Sequence, residues 1–317
     1  MAIDLLAVPS SWFPALRLDQ RVAQQFGLSR RSAVNAVERG QVDVAGELCR
    51  DPAREVSEAE DVALERSRPR PETVNRKLRV LHEDGEILII DKPAGLLTQP
   101  TTLREPDTLL ERAGQYLRRV RGRERPYVGI VHRLDQWTSG VILVVTRPSA
   151  LRPFQAIFRE HAVERLYLAI VEGRVAPPAG AIDLRLVADR GDGRRGIARR
   201  PGEGVPAVTH YETIDAYGGL ATRLACRLET GRTHQIRIHL AEIGHPVVGE
   251  PVYRPRHIPP FPIPFDRQAL HAQALGFDHP RTGQPLRVEA PLPEDLQKLV
   301  GLLEHRHPPS GPGLGPR

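Results

Sequence analysis

The chain is poor in several residue types. Its 317 residues include two cysteines, one methionine and two tryptophans, and aromatics make up 5%. Cys49 and Cys226 are too few for a disulfide framework, and neither stands in a CxxC or Cys/His cluster, so they read as free thiols of a reducing compartment. Long apolar runs are missing too. Runs such as Ile87 to Ile90 and Val141 to Val145 fall far short of the ~20 residues of a membrane-crossing helix. The opening MAIDLLAVPSSWFP lacks the basic start and apolar stretch of a secretion signal, and a soluble cytoplasmic protein is expected. Lysine is nearly absent: Lys77, Lys92 and Lys298 are the only ones among 45 basic residues, leaving 42 arginines. Against 39 acidic residues the net charge is +6, which suits a polyanionic partner without requiring one.

What is present is enough apolar sequence to fold. Hydrophobic residues make up 40% and charged residues 26%, which excludes disorder as the whole answer. Arginine concentrates in residues 112–125 and 185–200, where it suits either a solvated face or phosphate contact. Proline and charge replace apolar periodicity at RSRPRPETVNRK, as in a linker. The expected organisation is a small domain at 1–66, a linker at 67–77, a large domain at 78–304 and a disordered tail at 305–317. No metal ligand set is spaced for coordination; His234 and His239 stand five apart, on different faces of a helix. Walker and dinucleotide glycine patterns are absent, as is the repeated Asp-Thr-Gly of an aspartic protease.

In the first domain, Leu18, Val22 and Phe26 recur every four residues and Val34 with Val37 makes a second stripe, which predicts two short helices. Ser29 is the candidate N-cap of the second, with Arg30 and Arg31 at its exposed start. A turn at Arg39-Gly40 leads to strands Val42 to Val44 and Val62 to Leu64. Arg17-Leu18-Asp19, Leu28-Ser29-Arg30 and Gly40-Gln41-Val42-Asp43-Val44 together resemble the S-four-type RNA-binding domain. The resemblance implies that Arg30 and Arg31 bind RNA. The chain departs from the pattern at Ala45-Gly46 and Glu60-Asp61, where the family has Asn-Gly and Gly-Asp.

The large domain reads as strand-rich and irregularly ordered. Strands are predicted at Tyr127 to Leu134, Val141 to Thr146, Leu166 to Glu172, Ala207 to Ala216, Leu220 to Glu229, Leu270 to Asp278 and Leu286 to Ala290, after a hairpin turning at Asp84-Gly85. Helices are predicted at Leu109 to Val120, Ser149 to His161, His234 to Ile243 and Pro293 to Glu304. This order points to an α+β fold on a largely antiparallel mixed sheet. Asp135 falls in the connection before a strong strand, where a rigid sheet presents it to a cleft. An acid there is by itself more often a turn-former than a catalyst.

The full string changes that reading. His132-Arg133-Leu134-Asp135 followed by Thr138-Ser139-Gly140 matches HRLDxxTSG, the signature of the RluA-type pseudouridine synthases. Ile89-Ile90-Asp91-Lys92-Pro93-Ala94-Gly95-Leu96, the Arg165-Leu166-Tyr167 strand, and Leu228 through Leu240 continuing to Gly249 are similar to the family's other motifs, in order, over about Leu78 to Leu303. The resemblance implies isomerisation of uridine in RNA without a cofactor or metal. Asp135 is then the essential carboxylate, Arg232 its cationic partner and Tyr167 the aromatic beside the displaced base. Arg237 is the second choice for the cation. His132, Arg133, Thr138, Ser139, Lys92 and Arg237 are the expected substrate contacts. Gly249-Glu250 and Arg165 depart from the family's Gly-Asp and its lysine, and read as charge-conserving variation. The appended domain favours ribosomal RNA of the large subunit; transfer RNA is the alternative, and a noncatalytic RNA clamp the competitor from another class. A monomer is expected.

Overall fold

The computed structural model describes residues 16–38, 40–49, 51–65, 78–101, 105, 107–255 and 258–309, in two compact units, Met1–Val74 and Asn75–Arg317. Arg39, the expected linker and residues 310–317 of the expected tail lie outside the described residues.

The first unit begins with β1 (Leu16–Arg17), α1 (Leu18–Phe26) and α2 (Arg30–Glu38), followed by β2 (Val42–Val44), β3 (Glu47–Cys49), β4 (Glu55–Val56) and β5 (Val62–Leu64). The four-residue apolar spacing puts Leu18 and Val22 on one face of α1, where they are wholly buried with Ala33 and Val37 of α2 and Val42 and Val62 of the sheet. Ser29 Oγ accepts from the Ser32 amide at 3.2 Å, capping α2. Strand β2 lies between β3 and β5, and β1 pairs with β4. The sequence reading lacked β1 and β4, which are two residues long, and β3, which is as short as the foreseen β2 and β5 but mostly exposed and without their valines.

The second unit contains β6 (Arg79–Glu83), β7 (Ile87–Lys92), α3 (Leu109–Arg121), β8 (Gly129–Ile130), β9 (Ser139–Val145), α4 (Pro148–Arg159), β10 (Glu164–Glu172), β11 (Ala179–Asp183), β12 (Leu186–Val187), β13 (Gly196–Ile197), β14 (Val208–Tyr217), β15 (Ala221–Leu228), α5 (Gln235–Glu242), β16 (Leu270–Asp278), β17 (Pro285–Glu289) and α6 (Glu294–Arg306). Strands run β11-β14-β15-β10-β16-β9-β7-β6 in one ten-stranded sheet, with β17 on β16 and β8 on β9. The unit is α+β, and its pairings are antiparallel except for β16 with β9.

The unbroken apolar runs of β7 and β9 follow from burial on both faces. Ile87, Ile89, Val141 and Leu143 face Phe154 of α4, whereas Leu88, Ile90, Ile142 and Val144 face Leu109 and Ala113 of α3. Another core joins β10, β14, β15 and β16 to α5 and α6 through Ile170, Leu224, Ile236, Leu240, Leu296 and Leu303. Thr108 caps α3 by accepting from the Glu111 amide at 3.3 Å.

Three expectations are corrected. The strand expected at Tyr127 to Leu134 shrinks to Gly129–Ile130, because the following residues form the signature loop. Helix α6 continues through His305 and Arg306, into the segment expected to be disordered, because Leu303 in its last turn is fully buried. Residues 185–200 carry the short pair β12 and β13, and β11 was not foreseen. Among the described residues no helix is long and apolar enough to cross a membrane.

The parallel pair positions the signature loop. Ser139 and Gly140 at the start of β9 lie opposite His271 and Ala272 at the start of β16, so the loop before β9 leaves the sheet at its middle. Gly140 has φ +111°, and a Cβ there would stand 2.1 Å from the Ala272 carbonyl oxygen. Gly140→Ala is therefore expected to cost more than about 2 kcal/mol of stability in urea melts; an unchanged midpoint would contradict this account.

Candidate active site

The loop His132 to Thr138 is held from beneath by the turn after β7. Lys92 is wholly buried, and its ammonium donates to the carbonyls of Pro93, Leu96 and Gln136 at 3.0, 2.8 and 2.9 Å. Burial pushes its pKa down to about 7, while Asp135 pulls in the opposite direction. Thr98 Oγ donates to the Leu134 carbonyl at 3.0 Å, and Gly95 and Gln136 exchange bonds of 2.9 and 3.1 Å. The Trp137 ring packs over Gly95, where a Cβ would meet it at 3.3 Å. The Thr138 amide donates to the Asp135 carbonyl at 3.1 Å, closing the turn.

Four expected substrate contacts are turned into the protein by these constraints. Lys92 is one. His132 accepts at Nε2 from the Leu143 amide at 3.0 Å and stacks on Phe158 at 4.5 Å between centroids. Ser139 Oγ bonds His271 Nδ1 at 2.9 Å, and Thr138 Oγ lies 3.4 Å from the Gln268 amide nitrogen. Each serves the position of the loop: Lys92 from the end of β7, Thr138 and Ser139 from the buried entry to β9, and His132 through its bond to the β9 backbone. Arg133 differs. Its side chain is exposed, and its charge acts on Asp135.

Asp135 stands at the loop's mouth with 17% of its side chain exposed. Burial would raise its pKa, but the His234 ring, charged only at the acid pH where Asp135 itself titrates, and the Arg237 and Arg133 guanidiniums outweigh that and hold it below its ordinary value. Arg237 Nη1 lies 3.3 Å from Asp135 Oδ2. The same guanidinium is gripped on its other edge by Glu250, with Nε and Nη2 both at 2.7 Å from the carboxylate oxygens. Both charges of that fork are buried, and Arg237 keeps Glu250 ionised, well below the usual range, against a burial cost that would raise it.

The cation beside Asp135 is thus Arg237, and Arg232 is corrected from that position. Arg232 sits in the exposed turn before α5, where its Nε donates to the Pro206 carbonyl at 3.2 Å. Arg237, the second choice from sequence, lies in a helix whose residues Gln235 through Leu240 are all buried. Its polar residues each find an internal partner. Gln235 accepts from Thr230 Oγ and the Arg232 amide and donates to the Val208 carbonyl and Thr209 Oγ, at 2.7 to 3.0 Å, and His239 bonds Thr209 Oγ at 3.0 Å.

Tyr167 is half-buried between two cores. Burial pushes its phenol up to about 12, with Arg165 opposing and Asp135 adding. Arg165 is itself buried, donating through Nη2 to the Leu228 and Glu229 carbonyls at 3.3 and 2.6 Å. Glu250 was passed over as sequence variation, although Gly249-Glu250 stood in view as a departure at a motif's end. Gly249, with φ +74°, explains the spacing: a Cβ there would lie 2.1 Å from the Arg267 carbonyl oxygen, so glycine lets the turn close and aim Glu250 inward. His234 had been weighed only as a metal ligand. Among the described residues no group of three His, Cys, Asp or Glu side chains converges as a metal site would need.

Two outcomes follow from this geometry. Arg237→Lys keeps the charge but loses the fork, and is expected to lower kcat by about ten-fold or more, whereas Arg232→Ala stays within about two-fold of wild type at saturating RNA. Single-turnover assays distinguish the two; a larger loss for Arg232→Ala would contradict the assignment. Burial also keeps four histidines neutral, pushing His132 down to about 3 and His234, His239 and His271 down to about 4. Because these groups bind more protons when unfolded, stability is expected to fall as pH drops from 6.5 toward 4. Asp135 and Glu250, held below their ordinary values, add to the loss only at the acid end of that window, where the same groups in the unfolded chain begin to take up protons. Urea midpoints at pH 7.5 and pH 5 check the sign.

The comparisons with known proteins agree with this architecture. A family model described as RNA pseudouridylate synthase matches residues 86–242. The ribosomal large subunit pseudouridine synthase D of Zymomonas mobilis is 36% identical over 301 residues, covering 90% of this chain and 93% of that protein. The protein of the same description from Escherichia coli K12 is 36% identical over 317 residues, covering 95% and 94%. Among solved structures, human RNA pseudouridylate synthase domain containing 4 superposes with a TM-score of 0.59 at 22% identity, over 74% of this chain and 94% of that one, which supports the fold. With such relatives matched over nine-tenths of its length, the chain belongs to the RluA-type pseudouridine synthase family and is an RNA pseudouridine synthase.

Proposed function

We propose that this enzyme isomerises specific uridines of large-subunit ribosomal RNA, with Asp135 as the reacting carboxylate. The observation that carries the reading is the chain Asp135–Arg237–Glu250, in which a buried fork holds one guanidinium edge toward a partly open carboxylate. An ionised, fixed acid is what cleavage of a glycosidic bond needs, whether the carboxylate attacks the ribose or the base. Tyr167, beside it, would stack on the uracil and assist loss of the proton from carbon 5 while carbon 5 replaces nitrogen as the link to ribose. A uridine in a helix cannot reach this depth, so the target is flipped out or unpaired, and the exposed Arg133 would grip the strand it leaves.

The N-terminal unit would act as an S-four-type RNA-binding domain. Arg30 and Arg31 are exposed at the start of α2, with Arg30 Nε 3.5 Å from the buried Asp19 carboxylate. A weak basic binder tethered to a catalytic unit raises the effective concentration on a large structured RNA. The relatives described as acting on the large ribosomal subunit support that choice of substrate over transfer RNA.

Mapping pseudouridine in total RNA from cells with and without the gene, and with Asp135→Asn, tests the reading. Particular marks in large-subunit RNA are expected to vanish in the deletion and to stay absent with Asp135→Asn. Marks restored by Asp135→Asn would remove Asp135 from the chemistry, and marks lost only from transfer RNA would replace the substrate.

A further inference from the structure

Beside Asp135 lies a pair that the reading above leaves unused. His234 precedes α5 with left-handed backbone angles, φ 60° and ψ 18°, a conformation that costs a non-glycine residue about 1 kcal/mol. Its Nδ1 lies 2.6 Å from the Tyr253 hydroxyl, and its Nε2 points at Asp135, 3.8 Å from Oδ1. The rings meet edge to face at 5.6 Å, and 27% of the histidine side chain remains open. Tyr253 is itself fixed. Its amide donates to Glu250 Oε1 at 3.2 Å, and the Arg237 guanidinium lies over its ring at 5.2 Å.

The tautomer follows from the surroundings. Burial keeps the imidazole neutral, its pKa down at about 4, and burial also raises the Tyr253 phenol, so the hydroxyl keeps its proton. A neutral imidazole carries one N–H. If that proton were on Nδ1, the lone pair of Nε2 would face the Asp135 carboxylate; with the proton on Nε2, a positive edge faces it and Nδ1 accepts from Tyr253. At 3.8 Å the Nε2–H is too far from Asp135 for a hydrogen bond. It is placed to bond an oxygen seated alongside the two groups, at hydrogen-bond distance from the ring nitrogen.

We propose that His234 donates its Nε2 proton to an oxygen of the target nucleoside seated against Asp135, and that Tyr253 is the positioning residue that keeps the proton on that nitrogen. This rests on Asp135 being the reacting carboxylate. It adds a neutral donor that holds the nucleoside in register with the acid while leaving the charge balance of Asp135 and Arg237 untouched.

Two measurements test it. Nitrogen-15 spectra of the imidazoles near pH 7 are expected to show His234 as the Nε2–H tautomer in wild type and as a tautomer mixture in Tyr253→Phe. An Nδ1–H tautomer or an imidazolium in wild type would overturn the proposal whatever becomes of Asp135. In kinetics, His234→Leu is expected to lower kcat/KM by about ten-fold or more, the scale of one lost hydrogen bond. RNA affinity, measured by filter binding, should change by less than about two-fold, since one bond is a small part of an RNA interface. His234→Gln, whose amide nitrogen reaches the same place, should recover much of the loss. Thermal melting shows whether each variant is folded. A folded His234→Leu enzyme with wild-type turnover, or a His234→Gln enzyme no better than His234→Leu, would sink the role. A target carrying 2′-deoxyuridine assigns the acceptor: the penalty of His234→Leu disappears if the partner is the 2′-hydroxyl and persists if it is a base carbonyl.

Discussion

The candidate active site is organised by one buried carboxylate. Glu250 accepts both edge nitrogens of Arg237 and also the amides of Val252 and Tyr253, so a single side chain fixes a guanidinium and the backbone carrying an aromatic ring. Taking these charges out of water is costly, and the arrangement persists because the fork supplies two short charge-assisted bonds and two backbone amides add to one of the oxygens. The Arg237 Nη1 left over by the fork is the group that meets Asp135. Removing Glu250 would therefore disturb the acid two residues along this chain of contacts, although the two carboxylates do not touch.

A second constraint acts on the loop. Asp135 is kept in place by backbone bonds: Lys92, Thr98 and Gln136 tie the signature to the turn after β7, and Arg267, paired with Asp295 of α6, donates to the Trp137 carbonyl at 3.2 Å. Strands β7, β9 and β16 thus converge on one turn. A site held by buried sheet strands is more rigid than one on a free loop, as the role proposed for Asp135 requires. The signature residues divide accordingly, with Asp135 and Arg133 reaching outward and His132, Thr138 and Ser139 fixing the base on which they stand.

Much of this was legible in the sequence where the period was long and the chemistry local. Strand β16 lies at Leu270–Asp278 as expected, α3 and α4 fall within a few residues of their predicted ends, and the glycine closing the signature is explained by a close backbone approach. Strands that are largely exposed and carry no apolar pattern, such as β3 and β11, were not legible. Within α5 the polar residues Gln235, Arg237 and His239 imitate a solvated face, and only the partners brought by β14 and the Glu250 turn make that face interior.

By itself the sequence determined the α+β class, the order of the motifs and the acid around which they gather, because these depend on local pattern and on a string too specific to arise from composition. Tertiary structure alone decided which arginine meets that acid, which signature side chains turn inward, and that His234 and Tyr253 stand beside it. Most of those choices join residues far apart in the chain, 102 positions for Asp135 and Arg237 and 132 for Ser139 and His271, and they follow from burial and charge pairing, which exist only once the fold has formed.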